Sequence, residues 1–266
     1  MIIIAERINA SRKPIKEALK KKDADYFLKE VQELVKRGSN FIDLNTSNLP
    51  DQELPDLLWL IDLLKDKFEI PLAIDSSTPS VIEAGLKRIG RPGQMINSIT
   101  LNPARHQKIL PLALEHQALV IALLMDENDA PKNSDDRLRA MERLTKIIDT
   151  YKIPPERVLV DALVFTLSTE VKNGLYVLET IRELKKHFPQ FKTLVGLSNV
   201  SFGLPDRRLL NRTFLAMLLP AGLDAALIDP LDDELMATLR ASMTLSGQDP
   251  SCLEYLQAFR RGELGK

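Results

Sequence analysis

Short apolar runs recur along the chain, and each is followed by a longer stretch in which apolar residues return every three or four positions. The runs are Ile2–Ala5, Phe41–Leu44, Leu72–Ile74, Met95–Ile96, Leu119–Leu124, Val158–Val160, Thr193–Val195 and Ala226–Ile228, and their brevity and β-branched content predict eight strands. Helical periodicity follows near Asp25–Arg37, Asp51–Lys67, Pro79–Arg88, Pro103–His116, Ser134–Tyr151, Thr169–His187, Asp206–Pro220 and Asp232–Thr244. Strict alternation implies parallel strands joined by crossover helices. Eight repeats predict one closed (β/α)8 barrel, a TIM barrel in a single domain over residues 1–266. An open doubly wound sheet is the alternative, because periodicity does not register closure. Pro79 and Pro103 suit a first helical turn, and Lys36-Arg37-Gly38 and Ala221-Gly222 suit helix ends. The residues after Gly247 predict a short terminal helix packed outside the barrel.

The polar residues that follow the apolar runs are equally regular. Glu6-Arg7-Ile8-Asn9, Asp43-Leu44-Asn45, Asp75-Ser76-Ser77, Asn97-Ser98, Asp126-Glu127-Asn128, Asp161, Ser198-Asn199-Val200-Ser201 and Asp229 each stand where a strand should end. Any one of them is explained as a helix cap, since Ser, Asn and Asp satisfy free backbone N–H groups. Their repetition predicts a ligand site at the carboxyl-terminal mouth. In a closed barrel, carboxylates Asp43, Asp75 and Asp161, amides Asn9, Asn45, Asn97 and Asn199, and hydroxyls Ser198 and Ser201 face one funnel.

That set contains no histidine, cysteine or lysine, and so lacks the usual nucleophile and the usual neutral-pH base. It suits a flat, nitrogen-rich ring, whose amino and imino groups donate to carboxylates while amides donate and accept. The carboxylates come from different strands without the short spacing of a hard-cation loop, so no metal is expected. Arg207-Arg208 has two readings: arginines covering apolar surface, or a positive charge near the seventh strand that attracts an anionic part of the ligand. The second is favoured for Arg207 alone.

Composition narrows the classes. Apolar residues make up 44% of 266, enough for a sizeable core, and 36 basic residues balance 37 acidic ones without long blocks, which argues against a nucleic-acid partner. Lys20-Lys21-Lys22 is read as a helix-end cluster, and His106, His116 and His187 as surface or helix-terminal residues. A single cysteine, Cys252, excludes an internal disulfide and any multi-thiolate metal site within this chain. The longest apolar run, Ala118 to Met125, is too short for a membrane span, and the Met-Ile-Ile-Ile start too short for a signal peptide. A soluble cytoplasmic protein is expected.

The ordered pieces Glu6-Arg7-Ile8-Asn9, Asp43-Leu44-Asn45, Ile74-Asp75-Ser76, Ile96-Asn97-Ser98, Asp161, Gly196-Leu197-Ser198-Asn199-Val200-Ser201, Leu210-Asn211-Arg212-Thr213-Phe214-Leu215 and Gly222-Leu223-Asp224-Ala225-Ala226 carry a resemblance over nearly the whole chain. The chain resembles the pterin-binding methyltransferases, specifically the methyltetrahydrofolate:corrinoid protein methyltransferases and the folate module of cobalamin-dependent methionine synthase. The resemblance implies a (β/α)8 barrel that moves a methyl group between N5 of methyltetrahydrofolate and the cobalt of a corrinoid. It implies that Asp75, Asn97 and Asp161 hold the pterin ring and that Asn199 is the catalytic residue, hydrogen-bonding N5. Gly196, Ser198, Ser201, Arg207, Glu6, Asn9, Asp43 and Asn45 complete the expected folate site. The corrinoid is expected on a separate partner protein, because one cysteine and no Asp-x-His-x-x-Gly sequence supply neither a thiolate zinc site nor a corrinoid domain. A homodimer is expected, with partner docking on a different face. Two departures stand out: Thr46-Ser47-Asn48 replaces a loop that often contains glycine and proline, and Ala162 follows Asp161 where proline is common. A dihydropteroate synthase and a non-catalytic folate-binding protein are the competing readings, although the glycine-rich and basic loops of the former are not evident.

Overall fold

Eight parallel strands close on themselves in the computed structural model, which describes residues 1–47, 50–126 and 130–264. They are β1 (Ile2–Asn9), β2 (Phe41–Asn45), β3 (Leu72–Asp75), β4 (Met95–Ile99), β5 (Leu119–Leu123), β6 (Val158–Asp161), β7 (Lys192–Gly196) and β8 (Ala225–Ile228). Each pairs with its neighbour in sequence, and β8 returns to β1 through Ile2 opposite Ala225 and Ala5 opposite Ile228. That last pairing rules out the open sheet. The helices are α1 (Lys13–Lys21), α2 (Ala24–Lys36), α3 (Pro50–Leu64), α4 (Pro79–Ile89), α5 (Pro103–Glu115), α6 (Ser134–Tyr151), α7 (Asn173–His187), α8 (Arg207–Ala221), α9 (Asp233–Leu245) and α10 (Leu253–Arg260).

Pro79 and Pro103 open α4 and α5, where the missing N–H is no loss. Gly222 ends α8 at φ +109, and a Cβ there would come within 2.6 Å of Lys185 Cγ, so only glycine fits both the turn and the packing. None of the helices among the described residues is long and apolar enough to cross a membrane.

Three differences from the sequence pattern have local causes. Helix α1 is nine residues long and buries Ile15, Ala18 and Leu19 at i, i+3 and i+4, a run shorter than the window of about 11–18 residues over which a helical period is read. Helix α7 starts at Asn173, not Thr169, because Thr166 O accepts from both Thr169 Oγ1 (3.0 Å) and Asn173 Nδ2 (2.9 Å), which folds the intervening residues into a loop. Strand β1 runs past Ala5 to Asn9, with a register shift against β2 between Ala5 and Ile8 that keeps Glu6 and Arg7 in the strand. Asn48, Glu127 and Asn128 of the expected loops lie outside the described residues.

The barrel interior is filled by Ile4, Phe41, Ala73, Met95, Ile121, Leu159, Leu194 and Ala225. Outward-facing residues of the strands pack against the helices in two larger clusters. The interior layer matters most for what lies above it.

Candidate active site

A strand turns successive side chains to opposite faces, so the residue two positions beyond an inward one is also inward. Moving up from Ile4, Phe41, Ala73, Met95, Leu159 and Leu194 gives Glu6, Asp43, Asp75, Asn97, Asp161 and Gly196. An apolar layer is thereby topped by a polar one. Asn45 adds a further step on β2, level with Asp75, which in turn is level with Asn97. Strand β5 offers only Ile121 and Leu123 at this height, so the polar ring has an apolar side.

Amides bridge the carboxylates. Asn45 Nδ2 donates to Asp75 Oδ2 (2.6 Å), and Asn97 Nδ2 donates to Asp43 Oδ1 (3.1 Å). Asp161 Oδ1 accepts from the backbone N–H of Leu163 (2.8 Å), and Ser198 Oγ lies 3.5 Å from Glu6 Oε2. Asp43 and Asp161 are only 2% and 8% exposed. Burial pushes all four acids up, since it disfavours the charged form. Asp161 rises to about 6 against the opposing Leu163 N–H and Arg137, and Glu6 to about 7 against Ser198. Asp43 is pushed well above the ordinary range by burial and by Asp75, and Asp75 is raised by burial against Asn45 and Arg105. Such carboxylates gain from a ligand that brings N–H donors.

Beyond β7 the chain makes a short 3-10 turn over Leu197–Ser201. Asn199 is exposed there, and its side-chain amide has no hydrogen-bond partner among the described residues. It caps nothing: the residue at the start of α8 is Asp206, without a side-chain cap bond. A Cβ on Gly196 would stand 3.3 Å from Asn199 Nδ2, so the glycine leaves that amide its place. Asn199 shares a depression of about 280 Å³ with Asp161, Phe165, Thr166 and Phe202. A neighbouring cleft of about 450 Å³ is lined by Glu6, Asn9, Ser198 and Arg207, with Arg12, Arg208 and Asn211.

Some expected residues do other work. Ser201 is fully buried; its hydroxyl donates to Asn211 Oδ1 (2.7 Å) and accepts from Arg207 Nε (3.1 Å), which makes it a brace and not part of the open surface. Arg207 joins both of its readings: Nη2 donates to Ser198 O (2.7 Å), the guanidinium lies 5.7 Å from the Phe202 ring centre, and the side chain lines the cleft. Arg208 is 80% exposed at its side chain and faces Asp232 at 3.7 Å. Asn9 Oδ1 accepts from Ser11 N (2.9 Å), a local turn at the rim. Asp229 pairs with Arg7 (2.8 Å), and Asp126 with Arg143 (2.8 Å). His106 stands at a helix terminus, in the first turn of α5, on the side that faces the core, and is buried against Tyr151 (6.0 Å between ring centres).

Three charged residues escaped the strand-end pattern because they sit on helices. Glu53 accepts from Ser47 Oγ (2.7 Å) and Ser76 Oγ (2.5 Å), tying the loops after β2 and β3 together. Arg105 and Arg137 hold later loops through backbone carbonyls. Arg137 had a readable signal: it falls on the apolar stripe of α6 with Ala140, Met141, Leu144 and Ile148. No group of three or more His, Cys, Asp or Glu that could hold a metal ion occurs among the described residues.

Residues 5–229 match the pterin binding enzyme family, and the chain belongs to it. The chain is 29% identical to a methylcorrinoid:tetrahydrofolate methyltransferase of Eubacterium limosum over 267 aligned residues, covering 100% of this chain and 98% of that protein. It is 32% identical over 242 residues to methionine synthase of Mycobacterium tuberculosis, covering 86% of this chain but 20% of that longer protein. Among solved structures, the dihydropteroate synthase of Vibrio fischeri superposes with a TM-score of 0.70 at 16% identity, covering 94% of both chains. A dihydropteroate synthase of Coxiella burnetii in complex with pteroic acid superposes at 0.66 and 17%, covering 94% of this chain and 91% of that one. At those identities the two structures speak for the fold alone.

Proposed function

We propose that the protein is a methyltransferase acting between N5 of methyltetrahydrofolate and the cobalt of a corrinoid carried by a separate protein. The observation that carries this reading is the uncommitted amide of Asn199 in the same depression as the buried carboxylate of Asp161. A pterin offers N–H and NH2 donors along its edge, and Asp75, Asn97 and Asp161 stand at the barrel mouth to accept and donate there. The names of the Eubacterium limosum and Mycobacterium tuberculosis relatives support the folate and methyl-transfer parts of the reading.

The chemistry assigns each group a task. When the methyl group leaves folate, the N5–carbon bond breaks, its electron pair stays on N5, and cobalt supplies the pair for the new carbon–cobalt bond. An amine is a poor leaving group, so N5 must carry a proton as the bond stretches. Solvent supplies that proton, and the Asn199 side-chain oxygen accepts from N5–H, an interaction that strengthens toward the transition state. Asp75, Asn97 and Asp161 orient the ring, while Glu6, Ser198 and Arg207 border the path to the neighbouring cleft. A second copy of the chain associates away from the mouth, which stays open to the corrinoid partner.

The test mixes the purified protein with methyltetrahydrofolate and cob(I)alamin and follows the cobalt absorbance. Loss of the cob(I)alamin spectrum with formation of tetrahydrofolate is expected. Binding without transfer would make the protein a folate binder, and neither binding nor transfer would return the question to a dihydropteroate synthase reaction.

A further inference from the structure

Two arginines hold the backbone immediately behind the pterin-facing residues. Arg137, in the first turn of α6, is 0% exposed. Its Nε donates to Ala162 O (2.6 Å), Nη2 to Leu163 O (2.8 Å) and Nη1 to Asn133 O (2.9 Å), and the Phe165 ring centre lies 5.5 Å from its guanidinium. Arg105, in the first turn of α5, repeats the device. Its Nη2 donates to Ser76 O (2.7 Å), Nη1 to Ser77 O (2.5 Å) and Nε to Ser98 O (2.7 Å). Ala162 and Leu163 follow Asp161, Ser76 and Ser77 follow Asp75, and Ser98 follows Asn97.

Helix interiors seldom bury an arginine without a carboxylate, because removing the charge from water is expensive. Here the compensation comes from carbonyl dipoles at fixed positions, and the orientation of those carbonyls is the gain. Leu163 shows it most directly. It adopts φ +57, a left-handed conformation that side chains of this size seldom take. In that conformation its N–H donates to Asp161 Oδ1 (2.8 Å) while its carbonyl accepts from Arg137.

We infer that Arg137 and Arg105 are positioning residues for pterin recognition, each fixing the loop behind one site aspartate, Arg137 the carbonyls of Ala162 and Leu163 behind Asp161 and Arg105 those of Ser76 and Ser77 behind Asp75. The charges acting on Asp75 come from Arg105 on α5, Glu53 on α3 and Asp43 on β2; the charge acting on Asp161 is that of Arg137 on α6. Each arginine opposes the burial that pushes its own aspartate toward the neutral form. The placement serves the carboxylate a pterin would need, and so the inference rests on the folate reading for its purpose but not for its test.

The experiment titrates the carboxyl carbons of Asp75 and Asp161 by 13C NMR in the ligand-free protein, with Asp75→Asn and Asp161→Asn for assignment. Arg105→Gln should raise the Asp75 midpoint by about one pH unit and leave Asp161 in place; Arg137→Gln should do the reverse. A residue with a merely structural role would move neither midpoint, or both together, and either result overturns the assignment. Arg105 is half-exposed, so its variant folds even where the buried Arg137→Gln does not, and an unmoved Asp75 in Arg105→Gln is decisive alone. In parallel, the acid limb of methyltetrahydrofolate binding, measured by calorimetry from pH 5 to 8, should move upward with the titration midpoints. Failure of the wild type to bind methyltetrahydrofolate would overturn the functional reading while leaving the carboxyl titrations to judge the arginines.

Discussion

At the scale of the residue, Asn199 separates two roles that one side chain can play. A helix-capping asparagine replaced by alanine costs about 1 kcal/mol of stability and leaves chemistry intact in the folded fraction. The Asn199 amide caps nothing, so Asn199→Ala should melt at nearly the wild-type temperature. It should also keep most of its affinity for methyltetrahydrofolate and lose transfer to cob(I)alamin by roughly 10²–10³-fold, the scale of a lost oxyanion-hole donor. A lowered melting temperature with unchanged transfer would make the residue structural. Asp161 makes a different prediction. On the proposed reading its carboxyl group accepts ring N–H groups most strongly when ionised, so affinity should fall as pH drops through about 6. Calorimetry on Asp161→Ala should show a loss of roughly 1.5–3 kcal/mol at neutral pH, the worth of a hydrogen bond to a charged group. Equal affinity at pH 5 and pH 8 in the wild type would remove Asp161 from the pterin contacts. The polar types at these positions were legible in the sequence; the freedom of the Asn199 amide was not, because it depends on what the turn does with Ser198 and Ser201.

At the scale of the element, the 3-10 turn and α8 work as a unit through Ser201. Three uncharged polar residues in one short segment read alike in sequence, yet the turn exposes Asn199 and buries Ser201 between Asn211 and Arg207. Ser201→Ala removes hydrogen bonds to the half-buried Asn211 and the exposed Arg207, at a cost of about 0.5–1.5 kcal/mol. Denaturant unfolding should register that loss, while affinity for methyltetrahydrofolate changes little. Affinity that collapses with stability unchanged would return Ser201 to the ligand surface. Length explains why α1 escapes the periodic pattern: it has nine residues, fewer than the window of about 11–18 over which a helical period is read, although it buries as many side chains as α2.

At the scale of the whole molecule, the mouth gathers several acids that burial pushes toward the neutral form, which sets a pH dependence for the empty barrel. Glu6 and Asp161 have folded-state pKa values raised to about 7 and about 6. Between the ordinary carboxylate range and those values the folded chain holds more protons than the unfolded one, so stability contributed by these groups falls as pH rises. His106, whose pKa is lowered by burial, works in the opposite sense as a single group. Thermal melting of the ligand-free protein from pH 5 to 8 should therefore show a downward trend that flattens in Glu6→Gln. An identical slope in wild type and variant would show that Glu6 is not a buried acid in solution. Strand–helix alternation and the inward residues from Glu6 to Gly196 were written locally, because a strand's two-residue period and a helix's 3.6-residue period are properties of neighbouring positions. Closure, the Asn45–Asp75 and Asn97–Asp43 pairs, the burial of Ser201 and the grip of Arg105 and Arg137 on the loops were decided only by tertiary structure. Those contacts depend on elements brought together by the closed barrel, and a local period carries no information about which distant strand end will meet which helix.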